Sequence, residues 1–327
     1  MTTRETTVAG WRALVIADDA LAVTVLPERG AEITSIVHRR SGTELLFRAP
    51  WGLQPPGSRP RENAGGHSFL ERYAGGWQEL FPSVNDATTY RGEPIPFHGE
   101  VAGLPWTCED DGDRLRCSVR CERTPFRLGR VMRIEHGRLV LDETVTNEGG
   151  EEAEFVWGHH VVLGPPFLGR GCVLDAPVRT IVTIPEVWED TARLEPGQEE
   201  AWPNARLRGG GSVDLRTVPG PEAGSHDDVY LTGLDAGWAT VTNPRLGLRF
   251  GLEFDEKVFR WLISWQPYGG ARAMPLTGSY ALGIEPWVSR RPLGEAAARG
   301  EAISLGPGAA FTTSLAAFVE ENGEWRR

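Results

Sequence analysis

The chain lacks long apolar runs. No stretch approaches the ~20 apolar residues that a membrane-spanning helix needs, so no transmembrane segment and no membrane partner are expected. It also lacks a leader pattern. Thr2 to Ala9 is polar, with no apolar core and no small-residue cleavage site behind one, and the expected location is the cytoplasm. Basic charge is outweighed: 34 basic against 45 acidic residues give a net charge of −11, with no run of one sign. Nucleic acid binding needs a clustered basic surface, so that partner is not expected. Metal-type cysteine spacing is missing. Cys108, Cys117, Cys121 and Cys172 form no CxxC pairs and have no histidine at ligand distance, so no metal site is expected. Cys108 and Cys117 flank a turn at Asp111-Gly112 and could meet across two strands, but in a reducing compartment free thiols are the expectation. Helical signals are sparse, Gly294 to Ala302 being the best local candidate, and no repeat of 20–50 residues points to a propeller or solenoid.

What the chain has instead is punctuation. Forty glycines and 24 prolines separate short runs of alternating or β-branched character. Examples are Leu21 to Leu26, Ala31 to Val37, Arg114 to Cys121, Arg138 to Asn147, Glu154 to Leu163, Trp238 to Asn243 and Leu246 to Phe254, with Ala310 to Glu320 as a closing strand. Polar and apolar residues alternate in many of them, as in antiparallel sheets with one covered face. The expected class is all-β, a sandwich or barrel. No composition break divides the 327 residues, so one domain over 1–327 is expected, and the NEGGEE stretch near residue 150 reads as a turn between strands. Two long loops, Gly52 to Gly76 and Leu194 to Gly224, have the length of lids or binding loops.

Three motifs far apart in the chain each carry a proton-handling group in an apolar, turn-rich setting. They are PFHGEV with His98, WGHHVVLGPPF with His159 and His160, and GIEPW with Glu285. Two histidines and a carboxylate on one scaffold can give and take protons near neutral pH. His98 alone reads equally well as a turn residue capping a strand. Neighbours in a strand point to opposite faces, so one of His159 and His160 faces a site and the other packs. The turn that follows them is where sites are commonly built. Glu285 lies within an apolar run, where burial raises a carboxyl group's pKa and makes it a better base. An exposed strand-end glutamate is the plainer reading. Asp227 in SHDDVYL reads by itself as an Asx-turn residue.

In this order and context the three motifs resemble the galactose mutarotase-like (aldose 1-epimerase) superfamily. The resemblance is spread over most of the chain, beginning with LPERGAEITSIVHRRSGTELLF, similar to that superfamily's opening hairpin. It implies a β-supersandwich of large antiparallel sheets with few short helices, the site lying on the concave face of one sheet. It implies His98 contacting the sugar near its ring oxygen, His160 as the acid ahead of His159, and Glu285 as the base. Asp227, Tyr230 and Leu231 match a spacing in which the aspartate binds sugar hydroxyls, with Asp228 expected to matter less, and Gln266 matches more loosely. Relatives carry an arginine close before the glycine pair that here is Gly75-Gly76. Since Ala74 stands there, Arg72 or Gln78 is expected to take that contact, and His159 remains a candidate contact on its strand. A phosphate-binding basic cluster is not evident, although Arg59, Arg61 and Arg72 in the first long loop leave it open. Of the 12 tryptophans, most are expected in the core, and some can offer flat faces to a sugar ring.

The function implied is interconversion of the α and β anomers of an aldose or related sugar, by acid–base ring opening and closure, with no cofactor. The expected partner is a small-molecule sugar. A homodimer through uncovered sheet edges is open. Two other readings are kept: a carbohydrate-binding protein that lost activity, and a lyase or epimerase acting on a modified sugar on the same fold.

Overall fold

Along Arg138–Asn147 the side chains alternate half-buried and buried for 10 residues, the period-two signature of a strand with one covered face. Phe126–Glu135 alternates in the same way and pairs with it from Phe126 opposite Asn147 to Glu135 opposite Arg138. The computed structural model describes residues 2–61 and 66–322. Eight strands and one helix position the site: β1 (Glu32–His38), α1 (Ser68–Arg72), β2 (Trp77–Leu80), β3 (Phe126–Glu135), β4 (Arg138–Asn147), β5 (Gly158–Leu163), β6 (Ser225–Thr232), β7 (Trp261–Tyr268) and β8 (Glu285–Trp287). Among the described residues one sheet has 13 strands and a second has 8. The larger contains the neighbours β1, β2, β5, β8, β7 and β6 in that order, and the second contains β3 and β4 side by side. The all-β expectation is therefore met, and the segment expected as a helix forms one at Leu293–Ala298.

The inner faces of the two sheets share one buried apolar cluster. The larger sheet contributes Trp77, Val161, Leu231 and Leu262, and the second contributes Leu128, Met132, Leu141 and Val145. Inside this apolar layer lies a polar island. Arg130 of β3 donates to Glu143 of β4 at 2.9 Å, to the Ala31 carbonyl at 3.0 Å, and to Glu79 of β2. His159 of β5 has Nε2 3.2 Å from Glu143, and its Nδ1 accepts from the Trp77 indole at 3.2 Å. The Trp157 indole donates to Glu79. These charges are almost fully buried, where isolated ions are strongly disfavoured unless paired. Burial opposes a charge on His159, but Glu79 and Glu143 on either side outweigh it and raise its pKa.

Several expectations change. The run Glu154 to Leu163 is two strands, because Ala153–Phe155 pairs with Ile303–Leu305 while β5 joins the larger sheet. The loop Leu194 to Gly224 holds the short strands Glu199–Ala201, Asn204–Arg206 and Ser212–Asp214, too brief and polar to show a period. Thr2–Val8, polar in sequence, is an edge strand paired with Trp11–Ala17, where polar side chains discourage further pairing. The loop Gly52 to Gly76 contains α1, and its residues 62–65 lie outside those described. The free-thiol expectation is corrected for one pair. Cys117 stands directly opposite Cys108 with Cα atoms 4.1 Å apart, and the two form a disulfide; Cys121 and Cys172 are free. Opposed residues of an antiparallel pair share a face at close range, which brings the two sulfurs within bonding reach. Among the described residues no helix is long and apolar enough to cross a membrane.

Two outcomes are expected. Alkylation of the unfolded, unreduced chain should label two cysteines, and all four after reduction, as read by mass; four labels without reduction would contradict the disulfide. Arg130→Met should lower unfolding free energy by about 3–5 kcal/mol, because it strands two buried carboxylates. A urea-unfolding loss below about 1 kcal/mol would mean that the island does not tie the sheets together.

Candidate functional site

The alternation along β5 separates the two histidines. All side chains of β5 are buried, but His159 enters the island between the sheets. His160 therefore lies on the outer face of the larger sheet, away from the second sheet. Its ring neighbours there are Phe69, Tyr73, His98 and Trp265, with centroids 5.4, 5.3, 5.7 and 5.9 Å away. Phe47, Ala49, Tyr73, Val162, Trp265 and Ala281 form a second buried apolar cluster on this side.

Glu285 reaches the same place from β8, which pairs with β5 through Gly158 opposite Trp287 and with β7 through Ile263 opposite Glu285. Its Oε1 is 3.8 Å from His160 Nε2, and the residue is 1% exposed. Gly283 makes the room: a Cβ there would stand 2.4 Å from Glu285 Oε1. His98 adds a third group. Its φ of 63° is a left-handed conformation uncommon for a histidine, and such strain concentrates at functional sites. Gly99 continues the turn, and a Cβ on it would meet the Phe81 carbonyl oxygen at 2.3 Å, so the His-Gly turn is wedged against the end of β2. The Asn85 backbone N–H donates to His98 Nδ1 at 3.1 Å. An amide can only donate, which assigns the ring proton of neutral His98 to Nε2.

Burial sets the electrostatics. It pushes His160 down to about 3. It also holds His98 well below the usual histidine range, with His160 and His67 adding to the effect. It drives Glu285 well above the usual carboxylate range, reinforced by the charge of Asp228. Both members of the His160–Glu285 pair are thus favoured in their neutral forms. Asp228 is itself pushed up to about 6, by burial first and by Asp227 and Glu189 against the opposing pull of His226. Burial, then Glu285 and Glu32, hold the Tyr73 hydroxyl protonated. Three buried polar atoms on this face, Tyr73 Oη, Gln78 Oε1 and His160 Nδ1, have no hydrogen-bond partner among the described residues. Buried polar groups are normally satisfied, and these three lie on the face that carries His160 and Glu285.

The structure brings together His98, His160, Glu285 and Gln78, the last directly opposite His160 in the β2–β5 ladder. Gln78 donates to the Gly75 carbonyl at 2.7 Å. Beside it is a cavity of about 190 Å³ whose lining includes Arg29, Glu32, Phe69, Arg72, Tyr73 and Gln78. Arg72, exposed at the end of α1, donates to the Gly103 carbonyl at 3.3 Å. Three residues expected as contacts lie on the other face of the sheet. His159 faces the polar island. Asp227 and Gln266 pair across β6 and β7 on the reverse face, where Arg193 takes their acceptors: its guanidinium donates to Asp227 at 2.7 Å and to Gln266 at 3.0 Å. The backbone N–H groups of Arg193 and Leu194 also donate to Asp227, at 2.9 and 3.1 Å. Asp228, opposite Trp265 in the same ladder, is the aspartate on the site face. Sequence reasoning also missed Tyr73, His226 and Trp265. The usable signal was parity: His226, Asp228 and Tyr230 fall on one side of β6, and Asp227 on the other. Of possible metal ligands, Glu79, Glu143 and His159 lie within 4.8 Å of one another, but Arg130 already bonds both carboxylates and supplies the positive charge there.

The family model described as Domain of unknown function (DUF4432) matches residues 8–319. No curated protein matches the chain. Among solved structures, the Slr1438 protein from Synechocystis is 18% identical, with a TM-score of 0.70 over 97% of this chain and 99% of that one. A candidate aldose 1-epimerase from Klebsiella pneumoniae is 17% identical, with a TM-score of 0.71 over 95% of this chain and 80% of that one. A galactose mutarotase-like protein from Lactobacillus casei is 17% identical, with a TM-score of 0.65 over 94% of this chain and 100% of that one. The fold is galactose mutarotase-like, as the motifs implied.

The two aspartates give a direct test of the assigned faces. Asp227→Asn should destabilise the fold by about 1–3 kcal/mol in urea unfolding, because it weakens charge-assisted bonds at a buried site. Asp228→Asn should leave stability at pH 7 unchanged or raised. The folded-state pKa of Asp228 lies above that of an unfolded aspartate, so folding disfavours its charge, and an amide removes that penalty. The opposite ranking would mean that the faces are exchanged.

Proposed function

The chain belongs to the DUF4432 family, a domain of unknown function, and we propose that this member is an aldose 1-epimerase that interconverts the α and β anomers of a sugar by moving one proton through the His160–Glu285 pair. The observation that carries this reading is the joint burial of the two groups at 3.8 Å, with their pKa values displaced in opposite directions. Displacements of that kind, which push one group towards donor and the other towards acceptor at the same pH, are the usual mark of an acid–base couple.

The chemistry follows from that couple. One member takes the proton of the anomeric hydroxyl while the other delivers a proton to the ring oxygen. The bond between the anomeric carbon and the ring oxygen breaks and an aldehyde forms. Rotation about the adjacent carbon–carbon bond and closure on the other face reverse the transfers. The family resemblance implies the base role for Glu285 and the acid role for His160. Burial favours the proton on Glu285 and the free base on His160, so the first transfer runs from the carboxyl group to the ring oxygen and from the anomeric hydroxyl to the imidazole. This order exchanges the two roles, with Glu285 as the first donor and His160 as the first acceptor. His98, neutral with its proton on Nε2, is the donor that steadies the ring oxygen. Positioned acid–base groups contribute ~10²–10⁴-fold each, enough for a reaction that already proceeds in water.

Anomer exchange followed by NMR over a panel of aldoses is the test. Wild-type protein should accelerate exchange of at least one sugar, and Glu285→Gln should lower the rate by ~10²-fold or more while the fold persists. Wild-type protein that accelerates none, or an undiminished variant, would reject the reading. The pH profile is also fixed. The active pair holds one proton, so activity should fall in acid only as a second proton reaches His160, near pH 3, and in alkali as Glu285 loses its proton above the ordinary carboxylate range. An acid limb in the usual histidine range would contradict it.

A further inference from the structure

Trp265 forms the wall beside His160, and a hydrogen-bonded chain stands behind it. The Trp265 indole N–H donates to His226 Nε2 at 2.7 Å, and His226 Nδ1 is bonded to a Glu189 carboxylate oxygen. An indole nitrogen only donates. His226 Nε2 therefore accepts, its proton sits on Nδ1, and that proton is given to Glu189. The tautomer is fixed from both ends. The second Glu189 oxygen accepts from the backbone N–H groups of Arg272 and Ala273 at 2.7 and 3.2 Å. One carboxylate thus clips the segment around Trp188 to the segment around Met274. The Thr191 hydroxyl adds a second clip, donating to the Gly270 carbonyl at 2.9 Å. Trp188 packs edge-on against His226 with ring centroids 4.2 Å apart. His226 is 1% exposed, so the chain is shielded from water along most of its length.

The acid–base mechanism uses none of these groups, yet buried, fully oriented polar chains are expensive to assemble and usually fix something. Here the fixed object is the indole. A tryptophan has two torsions, and packing against Tyr73 and His160 does not by itself select the edge that carries the nitrogen. The bond to His226 does. We propose that Glu189 and His226 are positioning residues that lock the Trp265 indole in one orientation. Its face then packs against the C–H side of the sugar ring next to His160, and the two rim segments are tied to that wall. This rests on the mutarotase reading for the reaction but not for the binding surface, because a non-reacting sugar ring would use the same wall.

The test compares His226→Gln with His226→Leu. Glutamine can accept from the indole and donate to Glu189; leucine can do neither. The first readout is the Trp265 indole N–H resonance in the ligand-free protein, assigned with Trp265→Phe. It should stay near its wild-type position in His226→Gln and move in His226→Leu. The second is binding of 1,5-anhydrohexitols, which keep the ring but lack the anomeric hydroxyl and cannot react. Affinity for whichever anhydrohexitol wild-type protein binds should fall about tenfold in His226→Leu and recover most of that in His226→Gln. In the exchange assay KM should rise about tenfold while kcat changes less than about threefold. An unmoved resonance, equal behaviour of the two variants, no anhydrohexitol binding by wild-type protein, or a loss of thermal stability with unchanged affinity would each overturn the proposal. If His226→Leu does not fold, Glu189→Ala against Glu189→Gln gives the same comparison. Sugar binding with the predicted pattern but no anomer exchange would reject the epimerase reading and leave the positioning role standing.

Discussion

Adjacent residues on a strand cannot share a side, and the site depends on that constraint at His159 and His160. One imidazole is committed to the ion cluster with Glu79, Arg130 and Glu143. That commitment ties the strand to the second sheet and leaves its neighbour facing outward. A slip of one residue in the β2–β5 register would exchange the two histidines, moving His160 between the sheets and His159 to the outer face. The polar island makes such a slip costly, since it would strand charges in an apolar layer. It is therefore as much a device for register as for stability, and the chemistry on the outer face inherits its precision.

On the outer face the same physical term acts with the opposite purpose. Between the sheets, buried charge is matched group by group. Around His160 and Glu285 it is avoided: burial drives both towards neutrality, and among the described residues no cation counters the rise at Glu285. A neutral acid beside a neutral base is a state from which a proton can move to a sugar oxygen and back without stranding a charge. The unpartnered atoms of Tyr73, Gln78 and His160 extend this pattern.

Much of this was legible in the chain. Period-two alternation marks strands such as Arg138–Asn147 and Trp238–Asn243 at their observed bounds, and the three motifs that carry His98, His160 and Glu285 meet in one place. What was not legible depended on facts that a single strand does not contain. Asp227 and Asp228 are chemically equal in sequence. Their faces are decided by the ladder with β7, which sets Asp228 opposite Trp265. Gln266 entered the expected site by a loose family match, but its partner Arg193 comes from just before the second long loop, distant in the chain. Tyr73 and His226 lie within or beside quoted motifs but were given no role, and their importance comes from burial and from the company of residues distant in the chain. The cysteine pair follows the same logic: spacing suggested proximity, and strand register settled the bond.

The central claim is that Glu285 rests protonated beside a neutral His160. Infrared difference spectra between the wild-type protein and Glu285→Gln at pH 7 test it most directly. The account predicts a protonated-carboxyl band present in the wild type, absent from the variant, and lost only as pH rises above the ordinary carboxylate range. A carboxylate band in its place at pH 7 would contradict it, and would return the resting proton to the imidazole.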